Sequence, residues 1–491
     1  MTAPASLGTR FRSLPLFRPS TSGAYELLPC RFIRLDERRY VLTNDVGEYA
    51  VVDRDTLDAF VRKRLDTESL AYRTLKTRHL LLDGDSNVAL DLLALKMRTR
   101  LDPLAEFTSL HIFVVTLRCD HSCPYCQVSR RSEDRAAFDM TEADAEHALR
   151  FVFQSPAQHL KIEFQGGEPL LNFALIRWIV TRAEEMNATL GRDLQFVVAT
   201  NLAYLTNEVL DFAQVHKLYF STSLDGPPEL HDGNRPRPGK NSHQLTVDGI
   251  RRIREALGEN RVSALMTTTA ASLAKSEEIV DEYLRQGFTS IFLRPLSPYG
   301  FAVKTHMLRK YNHDQWLEFY KRGLAHVLRL NREGVPFREE FTSIFLHKVL
   351  TPYGTSYVDL QSPAGIGISA IVFNYDGNVY ASDEGRMLAE MDDKAFRLGR
   401  LGTDDYRTMM TSDALLEPLE ASLAESVPMC SDCGFLPYCG SDPVYHHATQ
   451  ADPVGHKAFS EFCSRNMGVL RHIFGLLEDD PVARPILMAW V

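Results

Sequence analysis

Between residues 109 and 298 the chain alternates short apolar runs with amphipathic stretches, and few folds accept that alternation. Strands are expected over 111–117, 160–164, 195–200, 217–223, 261–269 and 290–294. Helical periodicity fills the gaps, over 142–153, 173–187, 207–214, 246–257 and 273–286. Apolar runs rich in Val, Ile and Phe, separated by helices, read as parallel strands covered on both faces. Six such strands in succession predict an α/β fold with the sheet inside and the helices outside. Folds of this kind build their chemistry at the carboxyl ends of the strands.

The first of those ends carries Cys119, Cys123 and Cys126 at spacing C-x3-C-x2-C, directly after the run Leu110-His-Ile-Phe-Val-Val. Three soft thiolates on one short loop suit a metal cluster. They are one ligand short of the four that a cubane iron–sulfur cluster takes, which leaves one iron open to a small molecule. A zinc knuckle is the alternative, since C-x2-C is a common zinc spacing. Four more cysteines follow near the end of the chain as Cys430-x2-Cys433-x5-Cys439-x23-Cys463, a complete ligand set for a closed cluster or for zinc. Only Cys30 stands apart, as a buried apolar thiol. No stretch resembles a signal peptide or spans a membrane, so clustered thiols favour metal over disulfides and a cytoplasmic location is expected. A formal net charge of −9 gives no reason to invoke nucleic acid.

Later strand ends are polar as well. The second is followed by Gln165-Gly166-Gly167-Glu168-Pro169, whose glycines permit close backbone approach. Thr200-Asn201-Leu202 follows the third, and Ser221-Thr222-Ser223-Leu224-Asp225-Gly226 the fourth. His231-Asp-Gly-Asn-Arg235 comes next, and Arg294 closes the sixth strand, where it could pair with a carboxylate bidentately. Gly-Gly and Asp-Gly are also ordinary turn sequences, and arginines are most often surface residues.

Taken in order, these motifs resemble the radical S-adenosylmethionine (SAM) superfamily. The resemblance implies a partial (β/α)6 barrel. It implies a [4Fe–4S] cluster on Cys119, Cys123 and Cys126 whose open iron chelates SAM, and reductive cleavage of SAM to a 5′-deoxyadenosyl radical. It places Tyr125 against the adenine, Gly166, Gly167 and Glu168 at the methionine amino group, and Ser223 near the ribose and carboxylate. Asn201, Asp225, Arg235 and Arg294 complete the implied SAM contacts. Leu202 stands where the family often has Gly, which weakens the ligand role of that stretch.

The C-terminal part resembles the SPASM extension of peptide-modifying radical SAM enzymes. A hairpin is expected over 363–380 with Asp376-Gly377-Asn378 in its turn. Ser362-Pro363, Ser382 and Pro443 stand where that extension has cysteines of a first auxiliary cluster, so only one auxiliary [4Fe–4S] cluster is implied, on Cys430, Cys433, Cys439 and Cys463. Asp383 falls where sulfatase-maturating relatives place a proton acceptor; a turn aspartate is the plain alternative. Three short strands and two helices before residue 82 resemble the peptide-recognition domain of ribosomal-peptide maturases, although an N-terminal cap of purely structural role fits them equally. The wording of residues 117–130, Leu-Arg-Cys-Asp-His-Ser-Cys-Pro-Tyr-Cys-Gln-Val-Ser-Arg, is most similar to the His-Xaa-Ser system radical SAM maturase group.

The expected organisation is a flexible arm over 1–22, a small α+β recognition-like domain and linker helix over 23–104, a radical SAM core over 105–305, a helical bridge over 306–355 and a SPASM-like domain over 356–491. The expected activity is modification of a side chain of a ribosomally made precursor peptide, with an external electron donor of flavodoxin or ferredoxin type. The alternatives are a sulfatase-type maturase that oxidises Ser or Cys, and a non-enzymatic zinc-bearing peptide-binding module.

Overall fold

The computed structural model describes residues 25–84, 87–355 and 357–491, so the arm expected over 1–22 lies outside the described residues. The first part is a three-stranded antiparallel sheet of β1 (Cys30–Arg34), β2 (Arg39–Asn44) and β3 (Tyr49–Asp53). Two short helices follow, and each begins where the sequence supplies a capping side chain. Asp53 accepts from the Thr56 amide to start α1 (Arg54–Val61), and Ser69 accepts from the Tyr72 amide to start α2 (Leu70–Thr77). Their apolar faces close over Leu42, Phe60 and Leu75. Cys30 is half-buried at the edge of that cluster. A helix over Val88–Leu101 has no buried residue, and a 3-10 turn containing Pro103 ends it.

The centre of the molecule is an eight-stranded mixed sheet. It contains β4 (Leu110–Thr116), β5 (His159–Gly166), β6 (Asp193–Thr200), β7 (Tyr219–Ser223), β8 (Val262–Leu265), β9 (Ala370–Phe373), β10 (Asn378–Tyr380) and β11 (Arg397–Arg400), in the order β8-β7-β6-β5-β4-β9-β10-β11. From β8 to β9 all pairs are parallel, and the last two are antiparallel. The five helices expected between strands are present, as Glu142–Val152, Phe173–Leu190, Asn207–His216, Ser242–Leu257 and Ser276–Arg285. The architecture is thus a partial barrel of parallel strands with helices outside.

One expectation needs correction. The stretch 290–294 does not become a sixth strand of this sheet. Only Ser290–Ile291 is extended into a pair, and its partner is Arg338–Glu339. A single main-chain bond, Thr268 N to Arg294 O at 2.9 Å, ties the rest to the neighbouring segment. Pro295 and Pro298 lack the amide donors that a continued ladder needs. The sixth parallel strand of the sheet is instead β9, which pairs with β4 on its other side. β9 and β10 form the hairpin read from the sequence; Gly377 sits in its turn at φ +79°.

Phe113 of β4 shows why β9 belongs there. Its ring meets Phe373 of β9 at 5.0 Å and Phe164 of β5 at 6.2 Å between centroids, all three fully buried. Phe151, on the helix after the cysteine loop, closes edge-on against Phe373 at 5.4 Å. The C-terminal hairpin is therefore part of the central core. Phe373→Ala should cost about 3–5 kcal/mol and lower the Tm of the whole chain in one transition. An unchanged Tm would show that the hairpin packs on without supporting the barrel.

Candidate active site

The cysteine loop leaves the end of β4 and is positioned mainly by main chain. Gly167 lies so close that a Cβ there would be 2.3 Å from Arg118 O and 2.6 Å from Leu117 O. At Gly166, φ +152°, a Cβ would be 1.9 Å from Thr116 O. The two glycines therefore let the end of β5 close on the backbone that enters the loop, and the Gly167 amide donates to Thr116 O at 2.9 Å. Gly300 does the same on the far side. A Cβ there would be 2.4 Å from Gln127 O, and the next amide, Phe301 N, donates to Cys126 O at 2.8 Å. Arg118, almost wholly buried, anchors the loop through Asp139 at 2.7 and 2.8 Å and through Leu171 O at 2.8 Å.

Cys119, Cys123 and Cys126 all face one cavity of about 650 Å³. Its wall also includes Tyr125, Gly166, Gly167, Asn201, Ser223, Arg235 and Arg294, so seven of the nine residues expected to contact SAM share it with the thiols. The other two stand behind the wall. Glu168 is fully buried, and its carboxylate accepts from Thr200 Oγ1 at 2.6 Å, Asn201 N at 2.8 Å and Leu170 N at 3.0 Å. Burial pushes its pKa up to about 7 while those three donors pull it back. Asp225 is also fully buried. It receives a two-point ion pair from Arg235 at 3.0 and 3.2 Å, a hydrogen bond from the Tyr125 hydroxyl and one from Thr267 N at 3.2 Å. Burial works against its charge, but Arg235 holds it below the ordinary carboxylate range. The same guanidinium lies 5.4 Å from the centre of the Tyr125 ring. Glu168 ties the ends of β5 and β6 together; Asp225 orients Arg235 and Tyr125 toward the cavity.

Asn201 donates to Asp120 Oδ1 at 3.0 Å, and Leu202 takes φ +65°. A leucine in left-handed backbone is unfavourable. The neighbouring helix compensates: at Gly249 a Cβ would be 2.7 Å from Leu202 Cβ, so glycine there makes room for the side chain.

Cys119, Asp120 and His121 also bring ligand atoms within 4.8 Å of one another. The aspartate and histidine of that trio are already engaged. His121 bonds Asp120 at 2.8 Å and Ser242 Oγ at 2.8 Å, and Arg237 reaches Asp120 at 3.1 Å. Against the cost of burial, these partners draw Asp120 down to about 2. The thiols are different. Burial raises Cys119 well above its ordinary pKa, and it raises Cys123 to about 12 against the pull of Arg235. As free thiols they are neutral; a cationic metal centre is what turns such groups into thiolate ligands. The donor set fits an iron–sulfur cluster with one site left for a ligand from the cavity.

Cys430, Cys433, Cys439 and Cys463 line a second cavity, of about 170 Å³ and mostly apolar, with Phe435, Phe462 and Met467. Burial and the neighbouring thiols push Cys430 and Cys463 up to about 12, while Lys457 pulls the other way. Four convergent thiols of this kind fit a closed metal centre. Phe32 and Ile33 of β1 form part of the same wall. The N-terminal sheet is fastened there by Thr43 Oγ1 donating to Gly434 O at 2.8 Å and by the Tyr438 hydroxyl donating to Gly47 O at 2.9 Å. Nothing local in the sequence signals that contact.

Asp383 lines the first cavity, at the start of the helix Asp383–Ala389. Its carboxylate is ion-paired at 2.7 Å with Arg386, which is fully buried. Two further acids, Asp359 and Glu384, share the same wall and stand in no motif of the sequence.

Residues 113–270 match the family model described as Radical SAM superfamily. An uncharacterized protein of Methanocaldococcus jannaschii is 28% identical over 188 residues, 38% of this chain and 62% of that protein. The chain thus spans less than two thirds of that relative's length. The radical SAM cyclopropyl synthase TigE of Paramaledivibacter caminithermalis is 22% identical over 29% of this chain and 32% of its own. Among solved structures, native anSMEcpe with bound AdoMet and Kp18Cys peptide matches 75% of this chain and 98% of its own with TM-score 0.62 and 16% identity. Streptococcus suis SuiB bound to precursor peptide SuiA matches 88% and 98% with TM-score 0.52 and 15% identity. The chain shares the fold of these two structures.

The close approach at Gly167 generates a direct test. Gly167→Ala must push the cysteine loop outward, at a cost of about 1–3 kcal/mol. The metal-free variant should show a lower Tm and faster alkylation of Cys119, Cys123 and Cys126 than the parent. Equal alkylation rates would mean that the loop's position does not depend on this contact.

Proposed function

We propose that this chain is a radical SAM enzyme that modifies a side chain of a ribosomally made peptide. The observation that carries this reading is the single cavity shared by three thiols and by polar groups from successive strand ends. In this reading Cys119, Cys123 and Cys126 hold a [4Fe–4S] cluster with one open iron. SAM lies against Tyr125, Gly166, Gly167, Asn201, Ser223, Arg235 and Arg294, while Glu168 and Asp225 keep those groups in place. The bound cluster supplies one-electron reductive cleavage of SAM; the protein binds, orients and shields. Tyr125 and Arg235 pre-set the wall through Asp225, so little reorganisation is needed when the ligand arrives.

A second [4Fe–4S] cluster on Cys430, Cys433, Cys439 and Cys463 is part of the proposal. So is an external donor of flavodoxin or ferredoxin type. Peptide as the substrate class is supported by the peptide complexes recorded for anSMEcpe and SuiB, which share the fold. The β1–β3 sheet resembles the peptide-recognition domains that take up a leader segment by strand addition. The wording of residues 117–130 favours a peptide with His-Xaa-Ser repeats. Among the described residues no helix is long and apolar enough to cross a membrane; a reducing cytoplasm suits eight free cysteines.

Anaerobic reconstitution tests the reading. About eight irons and eight sulfides per chain are expected, four of each per cubane cluster, together with 5′-deoxyadenosine formed from SAM and dithionite. Cys123→Ala should abolish the nucleoside product and halve the iron. Cys433→Ala should halve the iron and retain SAM cleavage. Zinc in place of iron after careful reconstitution would replace this reading with a zinc-bearing binding module.

A further inference from the structure

Behind the large cavity lies a small pocket of about 30 Å³, and Asp359 and Glu384 belong to the walls of both. Asp442 faces them from across the small pocket. Two arginines, Arg294 and Arg465, temper this concentration of carboxylates. The neighbouring Asp383 adds to it, although its own charge is paired with Arg386.

The pocket is built for a polar occupant. Among the described residues nothing partners the hydroxyl of Tyr299, 1% exposed, or the Oδ1 of Asn466, 0% exposed. Both residues line the pocket, as does Arg465, whose Nε is likewise unpartnered. Buried polar atoms left without protein partners are normally satisfied by ordered water, and about 30 Å³ is room for one or two. Asn466 also reaches the other way: its Nδ2 is 3.7 Å from Cys439 Sγ. The pocket therefore adjoins both the radical cavity and the four-thiol site.

The geometry points to Glu384 and Asp359, with Asp442 behind them, as the proton-accepting site for the substrate during a two-electron oxidation. The inference rests on the radical reading given above. A hydrogen atom leaves the substrate to the 5′-deoxyadenosyl radical, giving 5′-deoxyadenosine. The substrate radical then loses one proton and one electron. Its X–H bond breaks, an O–H bond forms on Glu384, and the electron goes to an oxidant of the iron–sulfur class. The small pocket passes the proton on toward Asp442 through water. Burial, and then repulsion among the three, raises Asp359, Glu384 and Asp442 to about 7, the range in which a base can accept and release a proton near neutral pH.

Infrared pH titration of the reconstituted protein tests this without a peptide. A protonated-carboxyl band should persist up to about pH 7, shrink in Glu384→Gln and in Asp359→Asn, and remain in Asp383→Asn. Tyr299→Phe, which keeps the ring and the fold, should shift the midpoint of the band. Loss of the band in Asp383→Asn alone, or titration of all carboxyls in their ordinary range, would overturn the assignment. 5′-Deoxyadenosine formation by the unmutated protein is measured on the same preparation. Its absence would strike the radical reading and leave the carboxyl titration to stand or fall separately.

Discussion

The site depends on a close packing of main chain against main chain. The cysteine loop is gripped at its entrance by Gly166 and Gly167 and at its exit by Gly300, and at each point a Cβ would collide with a carbonyl oxygen. Packed backbone has few alternative arrangements, so it fixes a loop more firmly than long side chains do. The consequence is chemical. With its position set from behind, the loop can turn three thiols into one cavity without using them as structural anchors, and Tyr125 joins them there through its bond to Asp225. Buried polar pairs carry the next layer. Glu168 with Thr200 and Asn201 binds the ends of β5 and β6 to each other, and Asp225 at the end of β7 holds Arg235. Removing one partner from such a pair leaves an uncompensated buried charge, which costs more than the pair contributes.

Much of this was legible because it is local. The capping residues Asp53 and Ser69, the Asp-Gly turn of the hairpin and the strand–helix alternation each follow from a few neighbouring residues. The thiols and the strand-end motifs were legible as well, and the structure gathers most of them on one wall. What sequence could not separate was wall from support. Glu168 and Asp225 sit inside the same motifs as the residues that face the cavity, yet their carboxylates are consumed by protein partners. Gly300 carries no local signal, because its reason, the carbonyls of Cys126 and Gln127, lies far away in the chain. The apolar stretches at 290–294 and at Ala370–Phe373 look alike as strings. Only long-range packing on Phe113 decides which one extends the sheet beside β4.

The C-terminal part carries acids near the positions where the SPASM resemblance calls for sulfur. Ser362, Ser382 and Pro443 stand where the SPASM resemblance calls for thiolates. Close beside each in sequence is an acid, Asp359, Glu384 and Asp442, and the structure gathers these three around one pocket. Carboxylates are hard oxygen donors and do not replace thiolates around iron–sulfur. Burial and the repulsion of neighbouring carboxylates raise all three above the ordinary carboxylate range. The remaining four thiols lie next door, with Asn466 touching Cys439 on one side and the acid pocket on the other. In the proposed reaction the acids would meet the substrate's proton at the wall of the large cavity, while the four thiols stand in a cavity of their own beyond the acid pocket, reached through Asn466.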